Sequence, residues 1–192
     1  MVTGWLSSLR DLRTPARACK HLTRGMKSFS RNYRIYGIFF HVSSFCLYLA
    51  AMTPIIETSK LERIQIRGAD DPSVRWNGAF VVYGGHGTTQ SSTIVYEIEP
   101  GGRLGWHTDA TEESQYIIAG TGELQLEDGS THQVGPGSVF VLPTPLRHDL
   151  VNVGNETLRA VAFFAAAMFT QTFDNVMLPP NTHVLGTPNR NG

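Results

Sequence analysis

The chain has 192 residues, 41% of them hydrophobic and 17% charged, which gives room for one ordinary globular domain and an extension. Its overall neutrality hides an asymmetry: residues 1–34 carry eight Lys or Arg against Asp11 alone, so the rest of the chain is acidic. An acidic body argues against nucleic acid as a partner, because binding to phosphates rests on a basic surface.

Residues 1–34 are Arg-rich, contain serine and are nearly free of acids, which is the composition of a mitochondrial presequence. Trp5, Leu6, Leu9 and Leu12 recur at roughly helical spacing. The run from Ile35 to Met52 follows, uncharged and mostly apolar, at the short limit for crossing a bilayer. If it spans, the preceding basic residues keep the N-terminus in the cytoplasm and put the remainder on the other side. Three readings of residues 1–52 stand open: a signal anchor, a cleaved targeting segment, or sequence upstream of a chain that starts at Met52. The first two imply a membrane-anchored or mitochondrial protein, with membrane contact through residues 35–52 only, and the third a cytoplasmic one. The expected division is an extension over 1–52 and a folded domain over 53–192. Cys19 and Cys46 both lie in the extension, so neither a disulfide nor a thiolate metal site is available within the folded domain.

From Thr53 to Asn77 the chain leads in, with Ile64 and Ile66 alternating as in an edge strand before the polar turn Ala69-Asp70-Asp71-Pro72. Ala79 to Tyr83 is a short apolar run. Gly84-Gly85-His86-Gly87 resembles a phosphate-cradling loop, but no GK[ST] follows, so it reads as a turn with His86 at the surface. Thr93 to Glu99 alternates, with Ile94, Tyr96 and Ile98 on the face expected to point inward. Strands are expected at Ser114–Ala119, Gly122–Leu126, Thr131–Val134, Ser138–Leu142, after His148 as far as Asn152, and at Leu158–Phe164. Asp128-Gly129 marks a hairpin. Phe173 to Thr187 shows no clear periodicity and is expected to wrap the domain or cover a partner subunit.

Four ligand-type residues fall among these strands. His107 and Asp109, two apart on one strand, share a face and can ligate the same ion. Glu113 opens the next strand and His148 follows a later one. Parity from Glu113 puts Gln115 on the same face, and Gln115 and Tyr96 are the candidates for contact with a substrate. Two neutral imidazoles and two carboxylates leave a divalent ion formally uncharged, a donor set that favours Fe(II) or Mn(II), with Zn(II) third. His107, Asp109 and His148 also form the set of two histidines and one carboxylate used by non-haem Fe(II) oxygenases.

The spacing of these residues resembles the two motifs of the small single-domain cupins. The first motif, a glycine, five residues, His-x-His, three residues, Glu, six residues and a glycine, falls on Gly101, His107, position 109, Glu113 and Gly120. The second, a glycine, five residues, Pro-x-Gly, two residues, His, three residues and Asn, falls on Gly137, Pro143, position 145, His148 and Asn152. Asp109 stands where the family has its second histidine, and Pro145 where it has a turn glycine. Asp109 still offers an oxygen ligand, whereas Pro145 requires a turn without positive φ.

The resemblance implies an all-β fold, a double-stranded β-helix or jelly-roll barrel over approximately Thr53 to Thr187, with a non-barrel N-terminal extension. It implies a divalent metal held by His107, Asp109, Glu113 and His148, and a homodimer. Its functional implications are a metal-dependent enzyme on a small organic substrate, read first as an Fe(II) dioxygenase-like oxidoreductase. A redox-neutral decarboxylase, isomerase or cyclase comes next, and a non-catalytic ligand-binding module last. Arg159 raises a rival, since 2-oxoglutarate oxygenases share the barrel and carry a co-substrate arginine after the last histidine. An isolated arginine at that offset reads better as a solvent-facing strand residue.

Overall fold

The computed structural model describes residues 55–188. The expectations for residues 1–52, helix, membrane contact and targeting alike, lie outside them. Among the described residues no helix is long and apolar enough to cross a membrane.

Among the described residues twelve strands form one curled sheet: β1 (Ile64–Gly68), β2 (Arg75–Val82), β3 (Ser92–Ile98), β4 (His107–Asp109), β5 (Glu113–Ala119), β6 (Gly122–Leu126), β7 (Thr131–Val134), β8 (Val139–Leu142), β9 (His148–Asn152), β10 (Leu158–Phe164), β11 (Thr170–Leu178) and β12 (Thr182–Gly186). Helical structure among the described residues is limited to two 3₁₀ turns, Thr58–Lys60 and Gly84–His86. The spatial order is β7-β6-β9-β4-β11-β1-β2-β3-β10-β5-β8, with β12 paired to β11. This is the expected jelly-roll architecture, in which strands distant in sequence become neighbours.

Alternation decides the inner face. β3 turns Ile94, Tyr96 and Ile98 into the core, and β10 turns in Leu158, Ala160, Ala162 and Phe164. Ile117, Leu124 and Leu150 close the same cluster, each large buried side chain contributing roughly 1.5–3 kcal/mol. Ile66, Val74, Phe173 and Met177 make a second, smaller cluster. The intervening β10 residue Arg159 is exposed and pairs in register with Glu97, so it points away from the interior.

The motif glycines are used for their backbone. Gly120 has φ of +82°, and a Cβ there would stand 2.6 Å from the Leu158 Cα, so a side chain is excluded twice over. At position 145 the turn closes through Leu146 N–H donating to Pro143 O at 2.8 Å, with the Thr144–Pro145 peptide cis. No positive φ is needed there, which is how proline takes the place of the family's glycine. The motif residue Asn152 is a structural tie: its Nδ2 donates to Ile98 O and Glu156 O, both at 2.8 Å, and its Oδ1 accepts from Gly154 N–H at 3.0 Å.

Two expectations are corrected. β1 is not an edge strand, since it lies between β11 and β2. The C-terminal segment does not wrap the domain: β11 pairs with β4 and β1, and β12 returns along it as a hairpin. Its periodicity is obscured because a register shift falls between Thr172 and Met177, and because an inward position is occupied by the polar Gln171. The outer face of β8, β5 and β10 is apolar and exposed at Val139 (68%), Val141 (56%), Tyr116 (41%), Ile118 (49%) and Phe163 (47%), and β8 is an edge of the sheet.

Candidate metal centre

The curl of the sheet assembles the site. β4 and β9 run antiparallel with His107 directly opposite His148, their ring centroids 4.2 Å apart. Asp109 lies two residues further along β4, on the same face. Glu113 arrives from β5, several strands away in the sheet order, and is brought across by the curvature. Each of the four is buried, and each offers one ligand atom within 4.8 Å of the others. Two donors on opposite sides of one ion at about 2.0–2.2 Å are about 4.4 Å apart, so the spread of the group is on the scale of a shared ion.

The backbone fixes the ring orientations. His107 Nδ1 lies 2.7 Å from Gly105 O, and His148 Nδ1 lies 3.0 Å from Leu146 O. A carbonyl only accepts, so in the neutral imidazole each Nδ1 carries the proton and each Nε2 can present a lone pair to the centre. Phe173 stacks on the His107 ring at 4.6 Å and limits its tilt. Asp109 is held by Gln171, whose Nε2 donates to Oδ1 at 2.9 Å, and Thr144 Oγ1 donates to the Asp109 carbonyl at 2.5 Å.

What the scaffold leaves unsatisfied tests whether these residues fit an ion. His107 Nε2, Asp109 Oδ2, Glu113 Oε2 and His148 Nε2 are all buried with no hydrogen-bond partner. The His148 Nε2 separations, 3.7 Å to Asp109 Oδ2 and 3.5 Å to Glu113 Oε2, are too long for good hydrogen bonds. Orphaned buried polar atoms are rare and costly, and here four converge on one point with the ligand types of a divalent ion. The donor set fits.

The electrostatics show the same strain. Burial, and then Glu113, push the Asp109 carboxyl up to about 7. Burial, and then the neighbouring His148, push His107 down to about 3. At His148 burial pulls downward but is outweighed by Glu113 and Asp109, so the imidazole lies above its usual value. A bound cation would offset the repulsion between the two carboxylates.

A supporting pair lies behind His107. Arg103 Nε donates to Asp149 Oδ2 at 2.6 Å, and Asp149 Oδ1 accepts from Gly105 N–H at 3.0 Å, so the buried carboxylate anchors the residue whose carbonyl orients His107. Burial raises Asp149 against the pull of Arg103. On the other flank Tyr96 donates to Gln115 Oε1 at 2.5 Å, which leaves Gln115 Nε2 buried and without a partner. Burial, and then the charge of Glu113, hold the Tyr96 phenol well above its ordinary value, so it stays a donor.

A cavity of about 430 Å³ is linked to the centre by Gln171, which lines it and donates to Asp109, while none of the four clustered residues lines it. His107, Asp109, Glu113 and His148 come together, Gln115 and Tyr96 are buried but do not line the cavity, and Arg159 does not join them. Gln171 and Asp149 do not stand out in the sequence. An alternating reading of Thr170–Phe173 would have exposed Gln171 as an inward polar residue, whereas nothing local distinguishes Asp149 from a surface acid.

Against known proteins, the family model described as a cupin domain matches residues 94–164. With the fold and the two motifs, this identifies residues 94–164 as a cupin domain. Among solved structures the chain is similar to the polyketide cyclase RemF from Streptomyces resistomycificus, at 21% identity and a TM-score of 0.51, over 59% of this chain and 79% of that one. It is similar to the oxalate decarboxylase of Lactobacillus farciminis at 18% identity and a TM-score of 0.52, over 62% of this chain but only 35% of the decarboxylase. A putative sugar phosphate isomerase from Acidithiobacillus ferrooxidans aligns at 20% identity and a TM-score of 0.50, over 65% of this chain and 82% of that one. Likeness at these identities shows the fold. No curated protein matches the sequence.

Proposed function

We propose that the protein is a metal-dependent enzyme acting on a small organic molecule, and that His107, Asp109, Glu113 and His148 hold the ion. The observation that carries this is the convergence of four buried, partnerless donor atoms beside a cavity of small-molecule size. Dioxygenase-like oxidation is the first reading. Two carboxylates make the donor set rich in electron density, which suits Fe(II) or Mn(II) better than Zn(II) and favours transfer of electrons to oxygen. Such an ion would supply a Lewis-acidic centre and, if iron or manganese, one-electron chemistry with O₂.

The chain's own residues do the remaining work. Gly105 and Leu146 carbonyls keep the imidazole protons on Nδ1, away from the centre. Gln171 holds one oxygen of Asp109 and leaves the other free. Gln115, fixed by Tyr96 and two residues along β5 from Glu113, keeps an unpaired amide nitrogen in the interior, outside the lining of the cavity. The cavity gives the bound molecule a mostly apolar wall.

The same Gln115 donor favours a second reading. A fixed neutral N–H beside a Lewis-acidic ion can stabilise an oxyanion that develops during decarboxylation, isomerisation or cyclisation without any change of redox state. The polyketide cyclase, the oxalate decarboxylase and the putative isomerase are similar folds with names of that redox-neutral kind. The test is turnover by iron-loaded, manganese-loaded and zinc-loaded protein on a panel of small organic compounds, with oxygen present and excluded. Oxygen uptake that follows iron loading and vanishes in Asp109→Ala supports the dioxygenase. Turnover without oxygen selects the redox-neutral enzyme. Ligand binding that is unchanged in His148→Ala, with no metal bound, leaves a non-catalytic module.

A further inference from the structure

The cavity beside the centre has a composition that selects its occupant. Trp76, Phe80, Ile94, Phe169 and Leu185 line it, and Pro179 and Pro180 lie at its wall. Among the described residues that line it, none is charged, and the Trp76 indole is already committed, donating from Nε1 to Leu104 O at 3.1 Å. The polar side chain that remains is Gln171. Its Nε2 gives one N–H to Asp109, so what it can offer a ligand is the amide oxygen, an acceptor, and the second N–H.

An anionic substrate fits this arrangement badly. No Lys or Arg is among the residues that line the cavity, and the two carboxylates of the centre, one of them held by Gln171, already neutralise a divalent ion. Burying a charge without a partner costs several kcal/mol, whereas burying rings against Trp76, Phe80 and Phe169 is favourable over their whole area. Phosphorylated sugars and small dicarboxylates are thereby disfavoured.

We infer that the substrate is a neutral, largely apolar ring compound that carries a hydroxyl group, with the rings in the cavity and the hydroxyl donating to Gln171 beside the metal centre. This rests on the reading that the four-residue cluster holds the ion and the cavity takes the substrate. About 430 Å³ is at the small end of the usual range for ligand sites, roughly 300–1,000 Å³, so the cavity has room for one such molecule. Gln171 then has two tasks at once: it holds Asp109 and reads the hydroxyl, which joins substrate choice to the ligand shell.

The full chain is titrated calorimetrically with naphthol, naphthoate and naphthalene, while Co(II) uptake is followed separately by absorbance. The expected result is naphthol bound at least about tenfold more tightly than naphthoate, the cost of a partnerless charge, and several-fold more tightly than naphthalene. In Gln171→Leu naphthol and naphthalene become equal, and Leu185→Trp weakens both by filling the cavity. Should Gln171→Leu fail to fold, the three ligands on the unaltered chain still decide. Tighter binding of naphthoate, equal binding of naphthol and naphthalene by the unaltered chain, or no binding of any of them alongside normal Co(II) uptake overturns the inference and leaves the metal reading standing. Selective naphthol binding without Co(II) uptake upholds the cavity's preference and overturns the metal reading instead.

Discussion

Asp109→Asn in metal-free protein is expected to stabilise the fold, because the site holds a carboxylate in a place that disfavours its charge. The carboxyl is pushed from an ordinary 3.8 up to about 7, by burial first and Glu113 next. A raised carboxyl binds its proton more tightly folded than unfolded, so its contribution is present at low pH and is lost as pH rises from about 3.8 to about 7. Asparagine keeps the shape of the neutral acid and can still accept from Gln171, but it never ionises. Each tenfold change in proton affinity is worth about 1.36 kcal/mol, so the variant gains less than about 1 kcal/mol at pH 4 and up to about 4 kcal/mol at pH 8. Relaxation of the site and pairing with His148 draw the measured gain below that upper figure. His148, also raised, adds to the loss above about pH 6.5, while His107, lowered to about 3, opposes it below that pH. The contribution of these three groups in the metal-free protein is therefore expected to hold nearly level between about pH 4 and 6.5 and to fall above. Urea unfolding with chelator at pH 4 and pH 8 measures this, and excess Mn(II) should reverse the order of the two proteins at pH 8. A variant no more stable than the parent at pH 8 in chelator would refute the argument that the cluster is held under charge repulsion.

Gly120→Ala should lose more than about 2 kcal/mol in the same assay, from a backbone conformation worth of order 1–3 kcal/mol plus the contact of the new Cβ with Leu158; near-neutral unfolding would show that the turn can relax. Asp149→Asn should lower metal affinity on the order of 10–100-fold while β-sheet circular dichroism is unchanged, because it loosens the Gly105 carbonyl that orients His107; unaltered affinity would make the Arg103 pair purely structural. A second copy is expected to cover the outer face of β8, β5 and β10, with its apolar residues and free strand edge. Sedimentation should then show a dimer at micromolar concentration that Val141→Lys dissociates, and a strict monomer would remove the proposal.

Much of the fold was legible because most strands obey simple alternation and end at turn residues. β3, β5, β6, β7, β9 and β10 fall within a residue or so of the expected spans, and the interior residues Ile94, Tyr96, Ile98 and Gln115 follow from parity alone. The four candidate ligands were legible because motif spacing fixes which strand ends must meet once the sheet curls. What escaped depends on tertiary context. β11 hides behind a register shift and an inward glutamine, so Gln171, which links the cavity to Asp109, was not anticipated. β1 looked like an edge because its second neighbour, β11, comes more than a hundred residues later. Asp149 is indistinguishable locally from a surface acid, since its burial is set by Arg103 and the turn at Gly105.

The measurement that bears most directly on the account is a titration of chelator-treated protein with Co(II), Fe(II) and Mn(II), followed by calorimetry and by the visible absorbance of cobalt. Saturation at a single ion per chain is expected, with release of protons near pH 6, where Asp109 and His148 still hold them, that fades as pH rises past about 7, and with loss of binding in His107→Ala and in His148→Ala, each still folded as a β-barrel by circular dichroism. Absence of binding to the unaltered chain, or binding that His148→Ala leaves unchanged, would contradict it.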